Sequence, residues 1–456
     1  MSSKKEHRKK KQANRPILAT GAEGIALAIR RHQEGRVQEA AKVYRQVLAQ
    51  EPDHGDALHF LGVAEHQMGR SESALRYIDR AIEVLPEHPD VHNNRGNILK
   101  QLGRIDAAEA AYRRAVELRP NDVNALCNLG TVRRERGELD AAIAIFREVI
   151  SLEPGHAPAW QNLGNALGAL NQFEGALAAH REAMRLSPKS ADSYRHLGAM
   201  YYAIGRIDDA SEIYRQWLAL FPNDPQARHL IAACTGQQVP ERASDAYVRE
   251  AFNQFAASFD ASLERLQYRA PSLVADAVSE ILGDSGAMPA VLDAGCGTGL
   301  CGPLLRPHAR HLVGVDLSEK MVERARERGV YDRLEVAELT EFLGGRTEAY
   351  QLIVSADTLV YFGALAEIAK RAAQALVPQG ILMFTAERSS EIDAPEGYKI
   401  HPHGRYSHTR SYLLDVLSRA GFSGTSAREV TLRKEAGKWV DGWLVTARVA
   451  RVPSSQ

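Results

Sequence analysis

Small and large apolar residues recur along the first half of the chain at a constant spacing of 34 residues. A small side chain that meets a large one at regular intervals is typical of helices that pack in successive hairpins. The small positions are Ala40, Ala74, Ala108, Ala142, Ala176 and Ala210, and the large ones include Tyr44, Tyr112, Phe146 and Tyr214. The pattern predicts a helical repeat.

Prolines and glycines follow the same period and indicate where each hairpin turns and ends. One glycine series allows the first helix to approach its neighbour, a second lies at the turn, and a proline closes the second helix. The close-approach series is Gly62, Gly96, Gly130, Gly164 and Gly198; the turn series is Gly35, Gly69, Gly103, Gly137, Asn171 and Gly205; the prolines are Pro52, Pro86, Pro120, Pro154, Pro188 and Pro222.

This pattern resembles the tetratricopeptide repeat (TPR) family over about residues 20 to 222, as six units. The segment DPQARHLIAACTG after the last unit suits a capping helix, so the predicted repeat domain covers residues 19–236. The resemblance strongly indicates the fold and says little about function.

Three asparagines, Asn94, Asn128 and Asn162, share one position on successive first helices, with Phe60 and His196 in the flanking units. The resemblance implies a ladder on the concave face that holds the backbone of an extended peptide. A carboxamide offers one acceptor and two donors, which match a peptide C=O and N–H. The alternative is that these asparagines form hydrogen bonds between adjacent hairpins.

After Gly236 the 34-residue period stops and the apolar pattern changes. A helical stretch with aromatic residues three to five positions apart comes first, and short apolar strands then alternate with helices. Alternation of this kind predicts a parallel sheet with helices on both faces. The strand segments are AVLDAG, HLVGVDLS, RLEVAEL, YQLIVSADT, GILMFTAE and WLVTARVA.

The first of these strands runs into a glycine-rich turn with the motif D-x-G-x-G-x-G at residues 293–299. Its glycines would let the backbone pass close under a ligand at the carboxyl end of the sheet. Residues 297–302 also satisfy the dinucleotide fingerprint GxGxxG, so a dehydrogenase is an alternative. Asp293 argues against it, because a carboxylate there would face a pyrophosphate, whereas it suits S-adenosylmethionine, which carries an ammonium and a sulfonium.

The motif resembles class I S-adenosylmethionine-dependent methyltransferases over about residues 245 to 448. The resemblance implies a Rossmann-like α/β domain, predicted at 237–450 with an N-terminal helical cap, and S-adenosylmethionine as its cofactor. Asp316 would accept both ribose hydroxyls, with a helix cap as its alternative role, and Glu338 would face the adenine amine. The predicted cofactor-binding residues are Asp293, Gly295, Cys296, Gly297, Gly299, Asp316, Leu317, Glu338 and Phe259.

Two segments resemble the acceptor side of that family: the loop after the fourth strand and the insert HGRYSH at residues 403–408. Polar groups concentrated in a loop favour a site. The alternatives are core packing for the aromatic residues and a solvated turn for the insert. The predicted catalytic residues are His408 as first candidate base, Asp357 as second, and Tyr361; the predicted substrate residues are Arg405 and Tyr406.

Length and charge limit the possible architectures and partners. A chain of 456 residues is too long for a single ordinary hydrophobic core, so more than one domain is expected. Its 57 basic and 57 acidic residues balance, so no net charge attracts the protein to nucleic acid or to a membrane. Four scattered cysteines argue against a disulfide or metal framework. Residues 1–18 are predicted to be a disordered basic tail, and 451–456 a second tail. Because no apolar run follows the basic segment, a cytoplasmic location is expected.

The sequence therefore predicts a multidomain protein, an all-α TPR solenoid followed by a methyltransferase domain. The acceptor would be an oxygen or nitrogen of a small molecule, or of a protein recruited by the repeats. The signature Asn/Asp-Pro-Pro-Tyr/Phe is absent from the sequence, which disfavours nucleic-acid substrates. The alternative is an interaction scaffold whose methyltransferase domain binds the cofactor but is catalytically weak.

Overall fold

A computed structural model describes residues 21–256, 258–283, 289–435 and 438–450. The two predicted tails, 1–18 and 451–456, lie outside the described residues. Contacts within the chain divide it after His196 into two compact units. Of the helices in the described ranges, none combines the length and apolar character that crossing a lipid bilayer requires.

The first unit consists of helices that pack in consecutive pairs, as the 34-residue period predicts. A further helix, α11 (Ala191–Ala203), runs across the division between the units. The helices before it are α1 (Gly21–Gln33), α2 (Val37–Gln50), α3 (Gly55–Gln67), α4 (Ser71–Val84), α5 (Pro89–Gln101), α6 (Ile105–Leu118), α7 (Val123–Glu135), α8 (Leu139–Leu152), α9 (Ala157–Ala169) and α10 (Phe173–Leu186).

Both glycine series have the roles that the sequence predicts. The turn residues adopt left-handed backbone, with φ of 80° at Gly137 and 60° at Asn171, which takes the glycine's place in its unit. In the close-approach series, a Cβ atom at Gly130 would lie 2.8 Å from Cε1 of Phe146. A Cβ atom at Gly164 would lie 2.7 Å from the ring of His180. A large side chain of the second helix therefore packs directly against the backbone of the first.

The second unit begins with helices and continues as an α/β domain. The helices before the sheet are α12 (Ile207–Leu220), α13 (Pro225–Thr235), α14 (Asp245–Phe255), α15 (Phe259–Arg265) and α16 (Ala270–Leu282). The strands are β1 (Ala290–Ala294), β2 (His311–Asp316), β3 (Arg333–Val336), β4 (Tyr350–Ser355), β5 (Leu376–Arg388), β6 (Tyr398–Ile400), β7 (Tyr406–His408), β8 (Phe422–Glu435) and β9 (Lys438–Val449). The helices among them are α17 (Gly302–Leu305), α18 (Glu319–Glu327), α19 (Leu339–Gly344), α20 (Ala366–Ala375) and α21 (Arg410–Arg419), with 3-10 turns at Arg306–His308 and Leu359–Tyr361.

In the described ranges the strands form one nine-stranded sheet with the order β3-β2-β1-β4-β5-β7-β6. Strands β1 to β5 are parallel, so the carboxyl ends of β1, β2, β4 and β5 meet at one edge. The prediction of a parallel sheet is wrong for the last segment, WLVTARVA, because β9 runs antiparallel to β5 and forms a hairpin with β8. The sheet is therefore mixed.

Candidate functional site

The glycine turn after β1 is fixed to the neighbouring strand by main-chain hydrogen bonds. The backbone N–H groups of Gly295 and Cys296 donate to the carbonyl oxygen of Val315 over 2.8 and 2.9 Å. Gly295, Gly297 and Gly299 all have left-handed backbone, with φ of 79°, 54° and 83°. A side chain at Gly295 would overlap Thr358 from the loop after β4. The turn thus requires glycine for its left-handed backbone and, at Gly295, for the close approach of Thr358.

Asp316, at the carboxyl end of β2, connects this turn to the start of α18. Its Oδ2 accepts the N–H of Gly297 at 2.9 Å, and its Oδ1 accepts the N–H of Ser318 at 2.8 Å. The residue that caps α18 is Ser318, whose Oγ accepts the N–H of Met321. Each carboxylate oxygen can accept a second hydrogen bond, so Asp316 keeps the capacity to bind two hydroxyl groups.

Asp293 lies beneath the turn and is 1% exposed. Its Oδ2 accepts the hydroxyl of Tyr331 at 2.6 Å, while its Oδ1 is buried without a partner in the described part of the chain. Burial raises the pKa of Asp293 to about 7, although the Tyr331 hydroxyl opposes the rise. The residue therefore carries only part of a negative charge near neutral pH.

Asp293→Asn is expected to increase stability at alkaline pH, because the amide accepts the Tyr331 hydroxyl and does not ionise. Unfolded Asp ionises near its ordinary pKa, so the wild type loses stability as pH rises from about 4 through about 7. The full loss has an upper bound of about 4 kcal/mol. Thermal unfolding of both proteins at about pH 5 and about pH 8.5 should show the advantage of the variant growing with pH. An advantage that does not change with pH would contradict the raised pKa.

Phe259, a predicted cofactor-binding residue, and its neighbour Asp260 contact the glycine turn. Cε1 of Phe259 is 3.9 Å from the place that a Cβ atom at Gly297 would take. Asp260 accepts the hydroxyl of Thr298 and forms an ion pair with Arg328. The helical segment that precedes the sheet therefore covers the turn from one side.

The other predicted cofactor-binding residues have different surroundings. Cys296 is 6% exposed, and Leu317 is half-buried between Asp316 and Ser318. Glu338 caps α19, since its Oε2 accepts the N–H of Glu341 at 2.8 Å. The structure thus gives Glu338 a local helix-capping role, and its contact with an adenine stays a prediction.

Asp357 follows β4 in left-handed backbone, with φ of 58°. Its N–H donates to Oγ1 of Thr385 at 2.8 Å, and its Oδ2 pairs with Nη1 of Arg433 at 2.6 Å. Its Oδ1 is buried without a partner in the described ranges. Backbone strain of this kind concentrates at functional sites in proteins. Burial raises the pKa of Asp357, and the charge of Arg433 opposes the rise.

Asp357 belongs to a charge cluster that the sequence did not reveal. Arg433, 3% exposed, donates Nη1 to Asp357, Nη2 to Glu387 and Nε to Glu435. Arg405 pairs through Nε with Glu387 and through Nη2 with Glu435, each at 2.7 Å. Burial opposes ionisation of Glu387, but Arg405 and Arg433 outweigh it and lower its pKa to about 2. The charge cluster thus comprises Asp357, Glu387, Arg405, Arg433 and Glu435.

The predicted catalytic residues Tyr361 and His408 are more enclosed than Asp357. Tyr361 is half-buried and meets Phe252 edge to face at 5.4 Å. His408 lies in β7, where it is 0% exposed and bonds the carbonyl of Gly363 at 3.1 Å. Burial lowers the pKa of His408 to about 4, although its hydrogen bonds to backbone carbonyls oppose the fall. Of the two predicted bases, Asp357 is the one that keeps some exposure, 15% of its side chain.

The predicted insert is not a loop throughout, because its last three residues form β7. Tyr406, a predicted substrate residue, is 0% exposed and donates its hydroxyl to the carbonyl of Pro240 at 2.7 Å. The N-terminal part of the insert packs on α13, where His229 bonds the carbonyl of Gly404 at 2.8 Å. Arg405 of the insert belongs to the charge cluster, and Nε2 of His403 lies 3.9 Å from the carboxylate of Glu387.

In the first unit, each predicted ladder asparagine is half-buried and bonds to the preceding hairpin. Asn94 donates to Nε2 of His59 at 2.8 Å, and Asn128 donates to Oδ1 of Asn93 at 2.9 Å. Asn162 donates to Oγ1 of Thr131 at 3.4 Å. These bonds match the structural alternative, and capture of a peptide by the same side chains stays a prediction.

Comparisons with known proteins agree with both halves of this architecture. Residues 31–98, 93–157 and 169–234 match models of the tetratricopeptide repeat, and residues 266–427 match a model described as a methyltransferase domain. The chain carries TPR repeats and a methyltransferase domain. The family model of the methyltransferase domain covers the glycine turn, Asp316 and Asp357.

Two curated relatives, both named as methyltransferases or methyltransferase-like, are similar to part of this chain. Human methyltransferase-like protein 27 is 29% identical over 223 residues, which are 47% of this chain and 82% of that protein. The malonyl-(acyl-carrier protein) O-methyltransferase of Acetivibrio thermocellus is 32% identical over 105 residues, 22% of this chain and 37% of that enzyme. Among solved structures, the type IV pilus biogenesis factor PilW is 19% identical with a TM-score of 0.43, over 46% of this chain and 96% of PilW.

Proposed function

We propose that the chain is an S-adenosylmethionine-dependent methyltransferase that acts on an oxygen or nitrogen of a small molecule, or of a protein recruited by the repeats. The observation that carries the proposal is the bond between Asp316 and Gly297, which joins an acid at the end of β2 to the glycine turn after β1. An acid at the end of β2 suits the ribose hydroxyls of a nucleoside cofactor, and the carboxylate of Asp293 at the glycine turn disfavours a pyrophosphate there.

The residues present fit that cofactor. Asp316 has free acceptor capacity for the ribose hydroxyls, and the unpartnered Oδ1 of Asp293 lies below the turn, where a cationic ligand would favour its ionised form. The ring of Phe259 lies close to the glycine turn, 3.9 Å from the place of a Cβ atom at Gly297, and would border the ligand. When bound, S-adenosylmethionine supplies an electrophilic methyl group, and its sulfur receives the electron pair of the broken C–S bond.

The residues of this chain bind, orient and shield the reactants. Phe252 meets both Phe259 and Tyr361 edge to face, and these three rings form an aromatic wall that would shield the reactants from water. Two members of the charge cluster, Asp357 and Glu387, lie at the carboxyl ends of β4 and β5, beside the turn that follows β1. Holding an acceptor in line with the methyl group contributes up to about 7–11 kcal/mol in favourable systems.

Incubation of the full chain with methyl-tritiated S-adenosylmethionine and a cell extract tests the proposal. Label in deproteinised small molecules or in a protein band is expected with the wild type and not with Asp316→Ala, because the variant lacks the ribose acceptor. Calorimetry that detects no binding of S-adenosylmethionine or of S-adenosylhomocysteine to the wild type would reject the proposal. The distribution of label between the two fractions identifies the acceptor class.

A further inference from the structure

The charge cluster lies at the edge of the sheet that carries the glycine turn. Asp357 follows β4 and Glu387 ends the buried part of β5, and these strands are parallel neighbours beside β1. Side chains at the carboxyl ends of adjacent parallel strands face the same crevice. The charge cluster is therefore placed to contact a second ligand next to the proposed cofactor.

Both guanidinium groups of the charge cluster already pair with carboxylates of the chain. Arg433 uses Nε, Nη1 and Nη2 for three different carboxylates, and Arg405 uses two nitrogens for Glu387 and Glu435. Three carboxylates face two guanidinium groups, which leaves one negative charge in excess. A carboxylate ligand would add a further negative charge against this excess, and repulsion between like charges disfavours it.

One oxygen in the charge cluster has an unused acceptor capacity. Oδ2 of Asp357 pairs with Arg433, while Oδ1 is buried and without a partner in the described ranges. Thr385 holds the backbone of Asp357 in its left-handed conformation. The carboxylate is therefore positioned by Thr385 through the backbone and by Arg433 through Oδ2. A buried acceptor without a donor is unfavourable, and a ligand that supplies an N–H or O–H removes that cost.

We propose that Oδ1 of Asp357 binds the N–H or O–H of the methyl acceptor, so that the acceptor is an amine or an alcohol and not a carboxylate. This inference rests on the proposed function. The lone pair of the acceptor forms the new N–C or O–C bond as the C–S bond breaks toward sulfur. The proton that the acceptor loses goes to Asp357 and from there to water.

The protonation states of the neighbouring groups agree with this assignment. A carboxylate with a raised pKa is a better proton acceptor than an ordinary one, and burial raises the pKa of Asp357. Burial also raises the pKa values of Tyr268 and Tyr361, so both phenols stay protonated. Asp357, whose Oδ1 has no partner in the described ranges, is thus the proposed proton acceptor.

Sinefungin is a suitable probe, because in this cofactor analogue a carbon replaces the sulfonium and an amino group takes the place of the transferred methyl group. S-Adenosylhomocysteine is the matched ligand without that amine. Calorimetry on the full chain is expected to show sinefungin binding at least about tenfold more tightly than S-adenosylhomocysteine. Asp357→Asn should reduce this ratio to within about twofold while its affinity for S-adenosylhomocysteine stays within about threefold of wild type. Asparagine tolerates the left-handed backbone at this position.

Asp415→Asn serves as the matched control, since Asp415 is an exposed residue of α21 that pairs with Arg419. This variant should keep the full preference for sinefungin. Equal affinities of the two ligands for the wild type would overturn the inference and leave the proposed function standing. No binding of either ligand to the wild type would overturn the proposed function itself.

The labelled products give a second, independent measurement. Methyl esters release volatile tritiated methanol in mild alkali, whereas methylated amines and ethers do not. We expect the label transferred by the wild type to remain non-volatile after alkali. Release of most of the label as methanol would identify a carboxylate acceptor and overturn the inference.

Discussion

Asp316→Ala is expected to weaken binding of S-adenosylmethionine by about a hundredfold or more, the largest effect that we predict for a single substitution. A hydrogen bond to a charged acceptor contributes about 1.5–3 kcal/mol, and about 1.4 kcal/mol corresponds to a factor of ten in affinity. The substitution removes the acceptor of both ribose hydroxyls in the proposed complex. It also removes the bonds from the N–H groups of Gly297 and Ser318, which hold the turn in place.

Isothermal titration calorimetry of the wild type and the variant measures this loss. Asp415→Ala, on the exposed face of α21, is the control and should bind with wild-type affinity. Circular dichroism and thermal unfolding establish that the variant retains its fold, because Asp316 also has a structural role. Unchanged affinity in a folded Asp316→Ala protein would mean that the ribose is held by other residues.

The sequence predicts well those parts of the molecule whose structure is determined by a short segment or by a repeated spacing. The left-handed turn at Gly137 and the contact of Gly130 with Phe146 follow from a period that repeats in neighbouring units. The glycine turn after β1 is likewise contained in seven consecutive residues, 293–299. Each of these features depends on backbone conformation that few other residues allow.

The charge cluster escaped prediction because its members are far apart in sequence. Arg433 bonds Asp357 and Glu387 across separations of 76 and 46 residues. It lies in β8, whose sequence FSGTSAREVTLRKE lacks a run of apolar residues that would mark a buried strand. Glu387 could have been identified from the sequence as a candidate site residue. It ends the apolar segment GILMFTAE at the carboxyl edge of the sheet, where ligands bind in such folds.

His408 illustrates the converse difficulty. Its polar neighbours in HGRYSH indicated an exposed loop, but Tyr406–His408 pair with both β5 and β6 and become an interior strand. Whether a polar residue near a sheet is exposed depends on which strands lie beside it. That information comes from the pairing of distant segments and is absent from the local pattern.

Changing Asn94, Asn128 and Asn162 together to alanine is expected to abolish capture of a protein partner by the repeats. The prediction rests on the concave-face ladder that the TPR resemblance implies, in which carboxamides hold a peptide backbone. The structure adds a second effect, because each asparagine also bonds to the preceding hairpin. Loss of three such bonds should lower stability by about 0.5–1.5 kcal/mol each. Affinity for S-adenosylmethionine, bound in the other unit, should stay unchanged.

A control that destabilises the repeats without touching the ladder separates the two effects. Gly137→Ala forces alanine into left-handed backbone with φ of 80°, where a Cβ atom meets nothing within 4 Å, so it adds strain and no clash. Its cost should be about 1 kcal/mol. Affinity capture from a cell extract, followed by thermal unfolding of each protein, should show Gly137→Ala less stable than wild type but still bound to the same proteins. If the triple variant folds and captures every partner of the wild type, the asparagines serve only to join hairpins. If Gly137→Ala loses its partners as completely as the triple variant does, then stability accounts for the loss and the ladder has no separate role in recognition.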